Sequence, residues 1–242
     1  PGIDDGPSSL EEAAAMCRAA AADGCTDLVA TPHQRHALWW NVDPAGLEEL
    51  RASVAAEVGG EIRLHLGAEV RIGEGLVESL ERWPRGGATS LAGSRYLLLE
   101  FSRGQPDPDP AGLVHELVVA GWRPVLAHPE EIEWLADDLP RVERLVSLGA
   151  ALQVTGASVT GAYGRRMLER AHTFLDHGLV HFLASDAHDL SMRPPGLAAA
   201  AREVARRWGE EVAELLTVLN PQAVLDDRPL PSPAEVLSAT ES

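Results

Sequence analysis

Short apolar runs, each ending in a residue able to ligate a metal, set the strongest limit on how this chain can fold. Leu28-Val29-Ala30-Thr31-Pro32 leads into His33, and Ile62 to Ala68 leads into Glu69. Tyr96-Leu97-Leu98-Leu99 ends in Glu100, and Pro124-Val125-Leu126-Ala127 ends in His128. His181-Phe182-Leu183-Ala184-Ser185 ends in Asp186, with His188 two residues on. The runs lack strict apolar–polar alternation, as strands buried on both faces do. Helix-like segments separate them, which indicates parallel pairing through right-handed crossovers. A closed ring would bring all the C-terminal strand ends to one face, where barrel enzymes keep their chemistry. A doubly wound nucleotide fold would instead show a Gly-rich turn after its first strand, and none is present. The expected architecture is an α/β barrel.

The local signals agree with that alternation. Ser9 and Glu12 have capping-box spacing and open an Ala-rich helix that should stop at Asp23-Gly24. Pro44 opens a helix to about Val58. Strands are expected over Thr26–Ala30, Ile62–Leu66, Tyr96–Phe101, Pro124–Ala127, Ala150–Val154 and Leu179–Ala184, with a loop from His33 to Asn41 and an irregular stretch from Gly73 to Gly93. Further helices are expected near Ala111–Ala120, Leu139–Leu148 and Arg165–Asp176, the last one starting at Asn220-Pro221. The 242 residues, with no repeat or linker, fit one domain.

A formal net charge of −17 argues against nucleic acid and anionic membranes as partners. No apolar run approaches a membrane span and no signal peptide is visible, so a cytoplasmic protein is expected. Cys17 and Cys25 lack zinc-motif spacing and read as reduced packing residues.

His33, Glu69, Glu100, His128, Asp186 and His188 form a nitrogen and oxygen donor set without thiolate, suited to manganese, zinc or iron. So many donors point to more than one ion, and Asp4-Asp5-Gly6 adds two carboxylates. Such clusters activate water and clamp the oxygens of a displacement at phosphorus or carbon. Arg35, Arg193 and Arg103 follow these strand ends; a guanidinium fork suits phosphate, and surface solvation accounts for them equally well. Trp39-Trp40 fits either an aromatic face for a ring-bearing substrate or burial under its loop. No Gly-x-Ser-x-Gly elbow or Cys-x5-Arg loop is present, so a covalent phosphocysteine route is disfavoured.

These motifs, in this order, resemble the PHP (polymerase and histidinol phosphatase) superfamily. They are Pro1-Gly2-Ile3-Asp4-Asp5-Gly6, Ala30-Thr31-Pro32-His33, Gly67-Ala68-Glu69, Leu99-Glu100-Phe101, Ala127-His128-Pro129-Glu130, Ser185-Asp186-Ala187-His188 and Arg193-Pro194-Pro195. Within that superfamily the chain looks like the manganese-dependent bacterial tyrosine phosphatases of capsule and exopolysaccharide operons. The resemblance implies a distorted seven-stranded (β/α) barrel with a trinuclear metal site. It implies that Glu69 and Asp186 serve a first ion, that Glu69 bridges to a second held by Glu100 and His128, and that Asp5, His33 and His188 hold a third. Asp186 and His128 would count as catalytic together with Arg193, which would bind phosphate with Arg35 nearby. The implied partner is the phosphotyrosine tail of a bacterial tyrosine kinase; an oligomer is compatible with the sequence.

Two departures from the family pattern shape the expectations. The His-x-His pair of the opening strand, upstream of the Pro-Gly, is not in this chain, and six strands are visible where the family has seven. The expectation is therefore an N-terminally truncated phosphoesterase domain over residues 1–242 that lacks its first strand. Position 131 holds Glu where the tyrosine-phosphatase branch often has Arg, and an acid there would repel phosphate unless it points away. A small-molecule phosphoesterase, for example one acting on histidinol phosphate, is the alternative enzyme. An inactive regulatory module is the alternative of another class.

Overall fold

The computed structural model describes residues 1–80 and 88–231. The middle of the irregular stretch expected from Gly73 to Gly93, and the end of the chain, lie outside the described residues. The chain forms two compact units, one of Pro1–Gly93, Leu97–Ser102 and Ser185–Gly196, the other of Ser94–Tyr96, Arg103–Ala184 and Leu197–Ser242.

In the first unit, Ser9 caps the helix Leu10–Ala22, its Oγ accepting the Glu12 N–H at 3.2 Å. Glu12 Oε2 reaches back to the Ser8 N–H at 2.8 Å, one residue earlier than a regular capping box. The Ala-rich face (Ala13, Ala14, Cys17 and Ala20) lets this helix pack closely on Val54 and Val58 of the helix Pro44–Val58. Gly59, at φ 68°, ends that second helix in the left-handed conformation that costs glycine nothing. Cys17 is a buried member of this core, and Cys25 packs against it.

Strand β1 (Asp27–Ala30) pairs in parallel with β3 (Arg63–Leu66) and then stops. Pro32 has no N–H to give a ladder. Gly67 passes where a Cβ would stand 2.9 Å from both Val29 and Leu91 side chains. Beyond this break the same two segments pair again, as β2 (His33–Gln34) and β4 (Glu69–Arg71), and β4 pairs with β5 (Tyr96–Glu100). His33 and Glu69 therefore begin strands, where the sequence suggested that they follow strand ends.

The second unit holds β6 (Arg123–Ala127), β7 (Ala151–Thr155) and β8 (Phe182–Ala184), all parallel. Val125, Leu126, Leu152 and Val154 are buried on these strands, and Val142, Leu145 and Phe174 on the helices Leu139–Ser147 and Arg165–Asp176. The α/β class and parallel pairing match expectation, but eight strands stand among the described residues where six were expected, and the pairings described here do not close a ring. No helix among the described residues is long and apolar enough to cross a membrane.

Candidate metal centre

In the first unit the opening turn is fastened to β2. Asp4 Oδ2 accepts the His33 N–H at 3.0 Å and its Oδ1 accepts the Gly6 N–H at 3.1 Å. Asn41 Nδ2 donates to the Ile3 and His33 carbonyls at 3.0 and 2.9 Å. Thus held, Asp5 Oδ1 stands 3.3 Å from His33 Nε2 and 3.6 Å from His188 Nε2. The Nδ1 of His188 lies 2.7 Å from the Asp186 carbonyl; a proton there leaves the Nε2 lone pair facing Asp5. Arg193 Nη2 donates to Asp5 Oδ2 at 3.0 Å. Partial burial pushes the Asp5 carboxyl up, but Arg193, His188 and His33 outweigh it and hold the pKa below its ordinary value.

The ladder register puts Glu69 beside His33, and Glu100 beside Arg71. His33 Nδ1 lies 3.0 Å from Glu69 Oε2 and 3.8 Å from Glu100 Oε2, both carboxylates being buried. Burial opposes the charge on His33, yet Glu69, Glu100 and Asp5 raise its pKa overall. Arg71 shares the Glu69 face of β4 and places Nη2 3.0 Å from Glu100 Oε2. The His33 ring lies on the Trp39 indole, with centroids 5.1 Å and planes 11° apart, and Trp39 stacks on His36 as well.

Two loops leave this cluster. After His33 the chain closes on itself, Arg35 N–H bonding the Trp40 carbonyl at 2.9 Å and His36 N–H the Trp39 carbonyl at 3.1 Å. Arg35 is drawn aside: Nη2 donates to the Glu74 carbonyl at 2.7 Å and the guanidinium lies 5.6 Å from the Trp40 ring centre. After His188, the N–H of His188 bonds the Arg193 carbonyl at 2.9 Å, and Asp189 Oδ1 accepts the Ser191 and Met192 N–H groups at 2.6 Å each.

In the second unit His128 follows β6 in the left-handed region, at φ 32° and ψ 52°, and is buried. Its turn is clamped from several sides. Glu131 N–H bonds the His128 carbonyl at 3.0 Å, and Glu130 Oε1 accepts the Thr155 N–H at 2.9 Å. Arg170, itself buried, donates to the Glu130 carbonyl at 3.0 Å while its Nε and Nη2 grip Asp137 Oδ1 at 2.9 and 2.7 Å. Full burial pushes the Glu130 carboxyl up to about 7, against the Thr155 hydrogen bond and the nearby His128. Glu131 does not stand as a bare acid, because Arg103 Nη2 pairs with it at 2.5 Å.

Two trios among the described residues have ligand atoms within 4.8 Å of one another: Asp5, His33 and His188, and His33, Glu69 and Glu100. Their imidazole and carboxylate donors suit a divalent ion, and the surplus of acids that raises the His33 pKa is a surplus that a cation relieves. A neutral imidazole has one lone pair, so His33 serves one trio at a time. Asp186 stands beside the first trio, its Oδ1 4.0 Å from His188 Nδ1. Positive φ at Arg35, Asn41, His128 and Asp186 concentrates backbone strain at these positions, as functional sites often do.

The Capsular polysaccharide synthesis, CpsB/CapC, family profile matches residues 1–226. The chain belongs to the CpsB/CapC family. It is 33% identical to the putative tyrosine-protein phosphatase CapC of Staphylococcus aureus, over 79% of this chain and 75% of that protein. Identity to the tyrosine-protein phosphatase CpsB of Streptococcus pneumoniae is 30%, over 93% of this chain and 95% of the relative. A crystal structure from work on YwqE of Bacillus subtilis and CpsB of Streptococcus pneumoniae, described as metal-dependent tyrosine phosphatases, matches with a TM-score of 0.88. The identity there is 27%, with 95% of this chain and 92% of that one covered.

In this CpsB/CapC chain, sequence reasoning missed Arg71 and Arg170, and it read Asp4 as a further carboxylate without its hydrogen bond from the His33 N–H. Arg71 had a readable signal, two residues from Glu69 on one strand face, but only once 69–71 is known to be a strand. Arg170 lies 40 residues from its Glu130 partner, and no local pattern announces it.

Proposed function

We propose that this chain is a divalent-metal-dependent phosphatase that hydrolyses phosphotyrosine in proteins and acts in capsule or exopolysaccharide synthesis. The observation that carries this is the convergence of Asp5, His33 and His188 within ligand spacing, with Glu69 and Glu100 on the other side of the same His33 ring. The family membership supports the capsule context, and its span over both compact units supports one phosphoesterase domain across residues 1–242. The parallel pairing in each unit supports the distorted barrel of the PHP type.

Asp5, His33, Glu69, Glu100, His128, Asp186 and His188 would hold the metal, three ions with manganese favoured over zinc or iron. Bound divalent ions supply Lewis acidity at phosphorus and a water acidic enough to attack near neutral pH. The protein's own part is positional. The Asp4 and Asn41 hydrogen bonds fix the main chain of His33, and the Trp39 stack fixes its ring plane. Arg193, a third exposed, offers a fork for two phosphate oxygens, its bond to Asp5 exchanging for one to substrate. Arg35 is a second guanidinium on the same loop system. Water adds its oxygen to phosphorus as the bond to the tyrosyl oxygen breaks, and the phenolate takes up a proton. With a pKa near 10 a phenol leaves without a strong general acid. We assign the cytoplasm as its place and the phosphotyrosine tail of a bacterial tyrosine kinase as its partner.

The test is to load the full-length protein with manganese and offer a phosphotyrosine peptide, histidinol phosphate and p-nitrophenyl phosphate. Peptide turnover that is abolished in His33→Ala and Asp186→Ala is the expected result. Turnover of histidinol phosphate alone would overturn the protein-substrate assignment, and metal binding without any turnover would overturn the enzyme.

A further inference from the structure

Seven large apolar side chains are exposed among the described residues, and four of them, Leu38, Trp40, Leu190 and Met192, sit in the two loops that spring from His33 and His188. Leu38 is 75% exposed and Met192 81%. Single exposed apolar residues are ordinary on a soluble protein; concentration beside one site marks a surface that meets something apolar.

The construction of the loops sharpens the point. Their backbone donors are already spent internally, on the Trp39 and Trp40 carbonyls in one loop and on Asp189 and the Arg193 carbonyl in the other. What the tips chiefly present to solvent is side-chain apolar surface. Their charge is also unlike the rest of the molecule. The segment 34–41 contains no acid and includes Arg35, in a protein of net charge −17. In the second loop Asp189 Oδ1 is turned onto the Ser191 and Met192 N–H groups, while the Arg193 guanidinium reaches toward Asp5. A phosphorylated, acidic segment therefore meets less repulsion here than the overall charge would impose.

We propose that the 34–41 and 189–193 loops form an apolar docking rim for the polypeptide on either side of the substrate phosphotyrosine. The rim favours substrates with aliphatic or aromatic residues close to that tyrosine; this rests on the phosphotyrosine-protein reading above. An extended peptide advances at most about 3.6 Å per residue, so flanking positions up to about three away fall within reach of loops that begin at His33 and His188.

The test uses the full chain with manganese and two phosphotyrosine peptides of equal charge, one with Leu and Phe flanking the tyrosine, the other with Gly and Ser. p-Nitrophenyl phosphate, which has no flanking chain, reports the reacting centre alone. The expected result is a preference of about fivefold or more in kcat/KM for the apolar peptide, lost through KM in the double variant Leu38→Ser, Met192→Ser. Equal kcat/KM on both peptides, or a preference that survives the double substitution, overturns the rim. Hydrolysis of the aryl phosphate with neither peptide turned over would instead sink the phosphotyrosine reading, and the rim with it. A dimer in the wild type that becomes monomeric in the double variant, with the peptide preference unchanged, would assign the loops to a second copy of the chain and overturn the proposal.

Discussion

Arg170 donates to the main-chain oxygen of Glu130 at 3.0 Å, so a helix residue far along the chain holds the turn that carries His128. The turn needs holding, because His128 occupies a backbone region that non-glycine residues adopt at a cost. Arg170→Met should remove that donor and the fork on Asp137 together. Since Asp137 is half exposed and remains hydrated, the expected loss is about 2 kcal/mol of stability. Arg170→Lys should recover only part, because an ammonium cannot reproduce the fork. Urea unfolding midpoints check this, and a Met variant as stable as the parent would show that the turn is held elsewhere.

Arg71 and Glu100 make a second testable pair. In the metal-free fold the Arg71 guanidinium offsets the buried Glu100 charge. Arg71→Met should lower the stability of metal-free protein by about 2 kcal/mol and that of manganese-loaded protein by less, because a bound ion restores the missing positive charge. Paired thermal melts with and without manganese measure the difference. Equal losses in both states would disconnect Arg71 from the metal centre.

Arg193 should matter to phosphate more than to fold. Arg193→Met is expected to raise KM for p-nitrophenyl phosphate and weaken inhibition by inorganic phosphate by about tenfold or more, at little cost in melting temperature. Steady-state kinetics with phosphate as competitor decide it, and unchanged inhibition would remove Arg193 from the phosphate site.

A pH effect arises away from the site, where Asp27 meets Arg63 and His65 at the start of β1. Burial works to raise the Asp27 pKa, but the Arg63 and His65 hydrogen bonds prevail and lower it to about 2. A depressed carboxylate pKa stabilises the fold above the unfolded value, near 3.9, and that contribution fades as pH falls toward 2. With Arg63 largely exposed, solvent screening holds the effect to about 1 kcal/mol. Asp27→Asn should flatten the stability profile between pH 4 and about 2 relative to the parent. An unchanged slope in acid titrations of unfolding would reject the assignment.

The longer apolar runs were legible because burial on both faces leaves an unbroken signature; β5, β6 and β7 lie within a residue or so of expectation. Strands β2 and β4 were not, since two or three residues after Pro32 or Gly67 are too few for any periodicity to register. Ligand candidates could be read as residue types at run ends, and Asp5, His33, Glu69, Glu100 and His188 do come together. Their supports were hidden because Asp4, Arg71 and Arg170 act through pairings that only the folded register creates. Glu131, which reads in sequence as an obstacle to phosphate, turns out to be neutralised by Arg103, a partner that its neighbours in the chain do not reveal.

The break at Pro32 and Gly67 separates two duties within one pair of segments. Before it, β1 and β3 bear on the core; after it, β2 and β4 carry His33 and Glu69. The far side is no looser for that: Gln34 and Val70 are fully buried there, so a change at His33 or Glu69 is made within packed structure. Gly67 sits at the break itself: a side chain there would meet Val29 of β1 and Leu91 at 2.9 Å, so the turn between the two duties has no room for one.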